Sequence, residues 1–209
     1  MESPDLEPLG EALRRGINNT VGLCIAVLLV FDIDFEVYNR GAQYLDVLLT
    51  PATICLAIPL YRQYELLRRN AVAVLAGSVA GVAAHMAGCL LMLAVFRMEA
   101  AEFITLLPKS ITTAIGKSLS AELGGYPAIT MAAIMITGLF GAAIAPALLR
   151  LFRVRDPLAQ GLAIGTASHA AGTSTAVQMG EIQGAASSLA IVVTGLLTVV
   201  AAPLLAGLV

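Results

Sequence analysis

The sequence predicts an all-α, polytopic integral membrane protein, and three observations carry that reading. Hydrophobic residues make up 58% of the 209 residues and charged ones 12%, where a soluble domain carries about 25% charged residues. Apolar stretches long enough to cross a hydrocarbon core of roughly 30 Å recur along the chain. Two polar segments interrupt this background: Leu106-Leu-Pro-Lys-Ser-Ile-Thr-Thr-Ala-Ile-Gly116 and Gly165-Thr-Ala-Ser-His-Ala-Ala-Gly-Thr-Ser-Thr175. At bilayer depth, hydroxyls and ionisable nitrogens are costly and mark the path of a polar solute. The prediction is about five full spans plus two broken or re-entrant helical segments, which together suggest an inverted repeat.

In chain order, residues 1–16 form a polar, acidic head with Glu2, Asp5, Glu7 and Glu11 ahead of Arg14 and Arg15. That order is the reverse of a signal peptide, which places its basic residues before the apolar run. A transmembrane domain is expected over 17–209. Residues 17–31 read as a first span, 32–44 as a polar acidic loop, and 45–60 as an apolar segment bent by Pro51 and Pro59. Residues 61–70 read as a basic loop. Residues 71–96, 127–151 and 185–209 are the clearest spans. With no water at that depth, backbone groups must bond within the segment, so these are helices; alternating barrel patterning is absent.

Orientation follows from arginine placement. Six of the ten arginines lie in 61–70 and 150–155, so both loops are expected in the cytoplasm, with the N-terminus. The span at 71–96 then ends outside, and the span at 127–151 must begin outside. The stretch between them therefore enters and leaves on one side, or breaks partway. Pro108 supports a break, because proline lacks a backbone donor. In the second polar segment the expected breakers are Gly161, Gly165 and Gly172.

Lys109 is the sharpest candidate residue. The chain has only two lysines, Lys109 and Lys117, and burying one costs about 2.5–3.5 kcal/mol on insertion scales. Lys109 is expected to pair with an anionic solute, and Lys117 to sit at an interface. Ser110, Thr112 and Thr113 can donate to a carboxylate, or they can glue helices together. Free N–H groups at a half-helix start would also attract an anion. His169, beside Ser168 and ahead of Gly172 and Thr173, can carry a proton near neutral pH or rest on a carbonyl as a core residue. His85, alone in an apolar helix, reads as a satisfied core histidine.

Other chemistry finds little support. Cys24, Cys55 and Cys89 lie in apolar stretches without metal-ligand spacing and read as small core residues. Ser168 and His169 are adjacent, which rules out the usual facing nucleophile–base geometry, and no Gly-x-Ser-x-Gly elbow exists. Neither a metal cluster nor a phosphate loop is present in the sequence. The expectation is therefore a non-enzyme without cofactor, metal or nucleic-acid partner.

The motifs in order are Tyr38-Asn-Arg-Gly-Ala-Gln43, Pro51-Ala-Thr53 through Pro59-Leu-Tyr-Arg-Gln63, Leu106-Leu-Pro-Lys-Ser-Ile-Thr-Thr113, Arg155-Asp-Pro157, and Gly165-Thr-Ala-Ser-His169 with Gly172-Thr173. From about residue 39 to its end the chain resembles the LrgB/CidB family, whose plastid relatives are glycolate/glycerate translocators. The resemblance implies an integral membrane protein that moves small monocarboxylates of the glycolate, glycerate or pyruvate kind. Substrate contacts would then fall on Lys109, Ser110, Thr112, Thr113, Ser168, His169, Gly172 and Thr173, with coupling to protons or sodium. The resemblance also implies an LrgA/CidA-type membrane partner, a pair that resembles holins and antiholins and is linked to murein hydrolase control and lysis. That is the alternative function. Contact with membrane lipid, a homo-oligomer, and a multi-pass location in the cell inner (plasma) membrane are expected, or in the plastid envelope if the source is a plant.

Three departures from the family stand out. An acidic head replaces an extra first span, Ala114 replaces a proline after the Thr-Thr pair, and Ser174-Thr-Ala-Val-Gln178 lacks a basic residue found in relatives. Lys109 remains the only strong cation in either motif core.

Overall fold

The computed structural model describes residues 64–209 without interruption and, before them, residues 23–24, 26–28, 30–47 and 61. The secondary structure of the described residues is helical throughout. The chain divides into two compact units, Met1–Ala52 and Thr53–Val209. The expected head at 1–16, and most of the expected spans at 17–31 and 45–60, lie outside the described residues.

Within the first unit, α1 (Phe35–Asp46) occupies most of the stretch expected to be a loop. The Asp34 carbonyl accepts from the Val37 and Tyr38 amides, each at 3.1 Å, and an acidic residue suits a helix start. Tyr38, Ala42 and Leu45 recur at helical spacing, a signal that the charged composition masks. In the second unit, α2 (Tyr64–Arg69) likewise replaces an expected loop. An exposed Glu65–Arg69 pair one turn apart, at 3.8 Å, supports it.

Among the described residues, three helices are long and apolar enough to cross a membrane: α3 (Ala71–Phe96), α6 (Pro127–Leu151) and α8 (Glu181–Ala206). Their ends agree with the sequence reading to within a few residues. Large apolar side chains point out of the bundle along each, including Leu75, Leu91, Ile136, Phe140, Leu196 and Val200. An apolar outer surface is what a lipid environment demands, because there the polar groups must turn inward.

Between α3 and α6 the chain makes a helical hairpin. Its arms are α4 (Ala100–Leu106), continued by a 3-10 turn at Leu107–Ser110, and α5 (Thr113–Leu123). Glu99 and Glu102 form a capping box at the entry. At the tip, Ile111 and Thr112 are extended. The arms meet where Gly116 lies against the Pro108 carbonyl. Thr130 of α6 pins them together, donating to the Thr105 carbonyl at 2.8 Å and pairing with Ser120 Oγ at 2.7 Å. Gly124, at φ 89°, ends α5 in the left-handed conformation that favours glycine.

The stretch α7 (Pro157–Met179) is a second hairpin. Asp156 caps its start by accepting from the Ala159 amide at 2.8 Å, and Pro157 fills the first helical position. Regular helix then stops at His169, with φ 38° and ψ −132°. A side chain built at Gly172 would come within 3.2 Å of the Ile164 carbonyl. Eight residues of unbroken helix would hold those positions about 12 Å apart. Gly165 and Thr173 likewise both reach Ser187 of α8. Residues 157–168 and 170–179 therefore fold back on one another.

The expected breakers Gly161, Gly165 and Gly172 do not make this break. Gly161 and Gly165 bring α7 onto α8, where a Cβ at Gly165 would lie 2.8 Å from Ser187 Cα and 2.9 Å from Ala190 Cβ. A Gly-x-x-x-Gly pair in membranes serves close helix approach. Gly172 lets the two arms of the hairpin touch.

Contacts fix the directions. Val74 clusters with Ala186 and Ala190, and Met86 and Cys89 with Ala202, so α3 and α8 run the same way. Leu149 clusters with Ile164, which brings the end of α6 to the start of α7. One end of the bundle thus holds Arg68, Arg69, Arg150, Arg153 and Arg155, and is called the basic end below. The α4–α5 hairpin rises from the opposite end, and α7 rises from the basic end.

Gly165→Ala is expected to cost on the order of 1–3 kcal/mol by overpacking, read as a lowered thermal midpoint in detergent. Gly88, with nothing near its added Cβ, is expected to tolerate alanine or gain about 0.5–1 kcal/mol. Thr130→Val leaves the Thr105 carbonyl and Ser120 hydroxyl without this partner, and is expected to destabilise by about 1–3 kcal/mol in the same assay.

Candidate functional site

The two hairpin tips reach the middle of the bundle, and glycines make the room. On α3, a Cβ at Gly81 would clash with the Thr166 side chain of α7. On α6, a Cβ at Gly138 would lie 2.5 Å from the His169 ring, and one at Gly141 would run into Ser168 Oγ. The second tip is thus seated in a backbone groove of α6. The first tip is held by His85 of α3, whose Nε2 lies 2.8 Å from the Leu107 carbonyl. That carbonyl ends α4, where helical carbonyls lose their partners. Cys89, one turn on, contacts the Leu106 carbonyl at 3.8 Å.

A cavity of about 770 Å³ opens beside these tips. Its walls are small apolar residues of α3 and α7, such as Ala73, Gly77, Ala163 and Ala167, and its polar residues are His85, Lys109, Ser110, Thr137, Thr166 and, at the start of α7, Asp156. Ser110 is 93% buried, yet it faces this space. Thr166 donates to the Leu162 carbonyl, which leaves its oxygen lone pairs for a ligand. A cation, a carboxylate, several hydroxyls and a mostly apolar wall have the form of a small-molecule pocket.

The structure divides the eight residues singled out in the sequence. Lys109 and Ser110 line this cavity. Thr112 precedes α5, and its Oγ1 is buried without a hydrogen-bond partner; Thr113 begins α5, half-buried. Ser168 lines a second, apolar space of about 600 Å³ against Phe140 and Gly141 of α6. His169 is 95% buried, with Nε2 unpartnered. Gly172 packs on Ile164 and Ser168. The Thr173 hydroxyl bonds to the His169 carbonyl at 2.9 Å and to Ser187 Oγ at 2.7 Å, fastening the broken backbone to α8.

Sequence reasoning missed His85, Thr137 and Thr166 as cavity residues. Thr166 sits inside the second motif, one turn before the break, and was within reach. Thr137 and His85 lie outside both motifs, in long apolar helices, and only the hairpin tips give them meaning. Among the described residues no cluster of three or more metal-ligating side chains occurs.

The model of the LrgB-like family matches residues 11–208. The chain is 37% identical to the antiholin-like protein LrgB of Bacillus mycoides (strain KBAB4) over 182 residues, 87% of this chain and 79% of that one. The antiholin-like protein LrgB of Bacillus cereus (strain B4264) matches to the same extent. The uncharacterized protein YxaC of Bacillus subtilis (strain 168) is 36% identical over 178 residues, 85% of this chain and 77% of that one. No solved structure matches the chain. A family match over nearly the whole length, on an all-helical bundle with three membrane-length apolar helices, places this chain in the LrgB-like family.

Proposed function

We propose that this protein is a multi-pass protein of the cell membrane that moves small monocarboxylates of the glycolate, glycerate or pyruvate kind. One observation carries the reading: two helical hairpins rise from opposite ends, and their tips meet beside a cavity that holds Lys109. In this reading α3, α6 and α8 cross the bilayer, and the hairpins are re-entrant. The hairpin α4–α5 with α6, and α7 with α8, form an inverted pair of units. Broken helices near the midplane of such repeats are where transporters bind substrate. The basic end faces the cytoplasm.

Lys109 counters the carboxylate and Ser110 donates to it. The unpartnered Thr112 hydroxyl and the free N–H groups at the start of α5 add to the same anionic preference. His169, at the other tip, is the residue through which a proton would be coupled. No enzymatic step is assigned to any of these groups.

A second reading rests on the comparisons. The relatives from Bacillus mycoides and Bacillus cereus carry the name antiholin-like protein LrgB, which speaks for a regulatory membrane role more directly than any comparison speaks for transport. In that role the chain acts with an LrgA/CidA-type membrane partner, and the cavity is a pore element.

Counterflow with labelled glycolate, glycerate and pyruvate in proteoliposomes at two pH values separates the readings. Saturable, competed uptake supports the carrier; size-limited leak supports the pore. In the carrier, Lys109→Ala removes a charged hydrogen bond worth about 1.5–3 kcal/mol, lowering apparent affinity roughly ten- to a hundredfold. Wild-type uptake by the folded variant would remove Lys109 from the site.

A further inference from the structure

The cavity occupies only one half of the bundle. Along α3 its lining runs from Ala73 to His85, and along α7 from Asp156 to Ala167. Both runs start at the basic end and stop at mid-helix. From α6 only Thr137, at the middle, takes part, and from the first hairpin only the tip residues Lys109 and Ser110. No lining residue comes from α4, α5, the last turns of α3 or the first turns of α6. On that side the space is filled by a packed cluster of Met86, Cys89, Phe103, Leu107, Ile111, Leu119 and Ala202.

Polarity follows the same gradient. Ala73, Gly77, Ala159 and Ala163 line the part toward the basic end, and the hydrogen-bonding side chains gather at mid-helix. The exception is Asp156 at the basic end, which is engaged in capping α7 through the Ala159 amide. At mid-helix, Thr137 Oγ1 and Ser110 Oγ make no hydrogen bond among the described residues, and both residues line the space. Small walls leading to a polar floor at mid-depth describe an entry path rather than a core defect, because a void left by poor packing stays apolar and dry.

We propose that this cavity is a half-channel by which a small carboxylate reaches the site from the basic end, and that Thr137 and Thr166 join Lys109 and Ser110 as its ligands. This rests on the carrier reading and adds a direction of access to it. The cluster around Phe103 and Leu107 seals the opposite route. His85 is a positioning residue: by holding the Leu107 carbonyl it fixes the tip on which Lys109 and Ser110 stand.

Cysteine accessibility tests the proposal. In a Cys24→Ser, Cys55→Ser, Cys89→Ala background, single variants Ala84→Cys, Ala163→Cys and Leu91→Cys are treated with a charged, membrane-impermeant thiol reagent. Right-side-out and inside-out vesicles are compared, with and without glycolate. Such a reagent needs a hydrated thiolate, so lipid-facing Leu91→Cys sets the background. The expected result is labelling of Ala84→Cys and Ala163→Cys from the cytoplasmic face alone, and loss of that labelling when glycolate is present. Labelling from the outer face, labelling no faster than Leu91→Cys, or labelling that glycolate leaves unchanged would overturn the half-channel. Thr137→Val is expected to weaken the glycolate protection of Ala163→Cys while leaving its labelling without glycolate intact; unchanged protection would remove Thr137 as a ligand. Uptake is read separately: its absence with protected labelling retained would sink the carrier reading and leave the access path standing.

Discussion

Everything in this bundle depends on how closely its backbones approach. Gly81, Gly138, Gly141, Gly161 and Gly165 each stand where a single added carbon would strike a neighbouring helix. Lipid tails are as apolar as leucine, so helices in a membrane gain little from hiding apolar surface from one another. They associate through dense packing and hydrogen bonds instead. Short hairpins are the elements that most need such packing. Their tips carry backbone groups without helical partners, and those groups must be met inside the protein. His85 on the Leu107 carbonyl and Thr173 between the His169 carbonyl and Ser187 supply that for each tip.

The same constraint explains what was legible in the sequence. The three long helices were plain, because length and apolarity alone define them. The first break was also legible, because Pro108 removes a donor whatever surrounds it. The second was placed in the right segment but on the wrong residues. Glycine was read as a breaker, whereas Gly161 and Gly165 serve contact with α8, and the chain reverses at His169. Nothing local marks a histidine for φ 38°; the room for it comes from Gly138, some thirty residues away in sequence. In the short helices α1 and α2, charge outweighs a weak periodicity, so their sequence resembles that of loops.

The candidate site was half legible for a related reason. Lys109 and Ser110 sit together in a motif, and both line the cavity. Thr137 and His85 stand outside the motifs on long helices, and a single sequence gives no sign of which tip each will meet. The site is a product of two reversals of the chain, and only folding sets their depth.

The hairpin at α7 bears on how the protein is made. Neither of its arms, 157–168 and 170–179, is long enough to span a hydrocarbon core of roughly 30 Å. Neither therefore qualifies on its own for lateral release from the insertion machinery into lipid. Yet Gly161, Gly165 and Thr173 all close upon α8, which is synthesised after them. The second tip therefore cannot complete its packing until α8 has emerged, and it is the synthesis of α8 that gives the hairpin its partner.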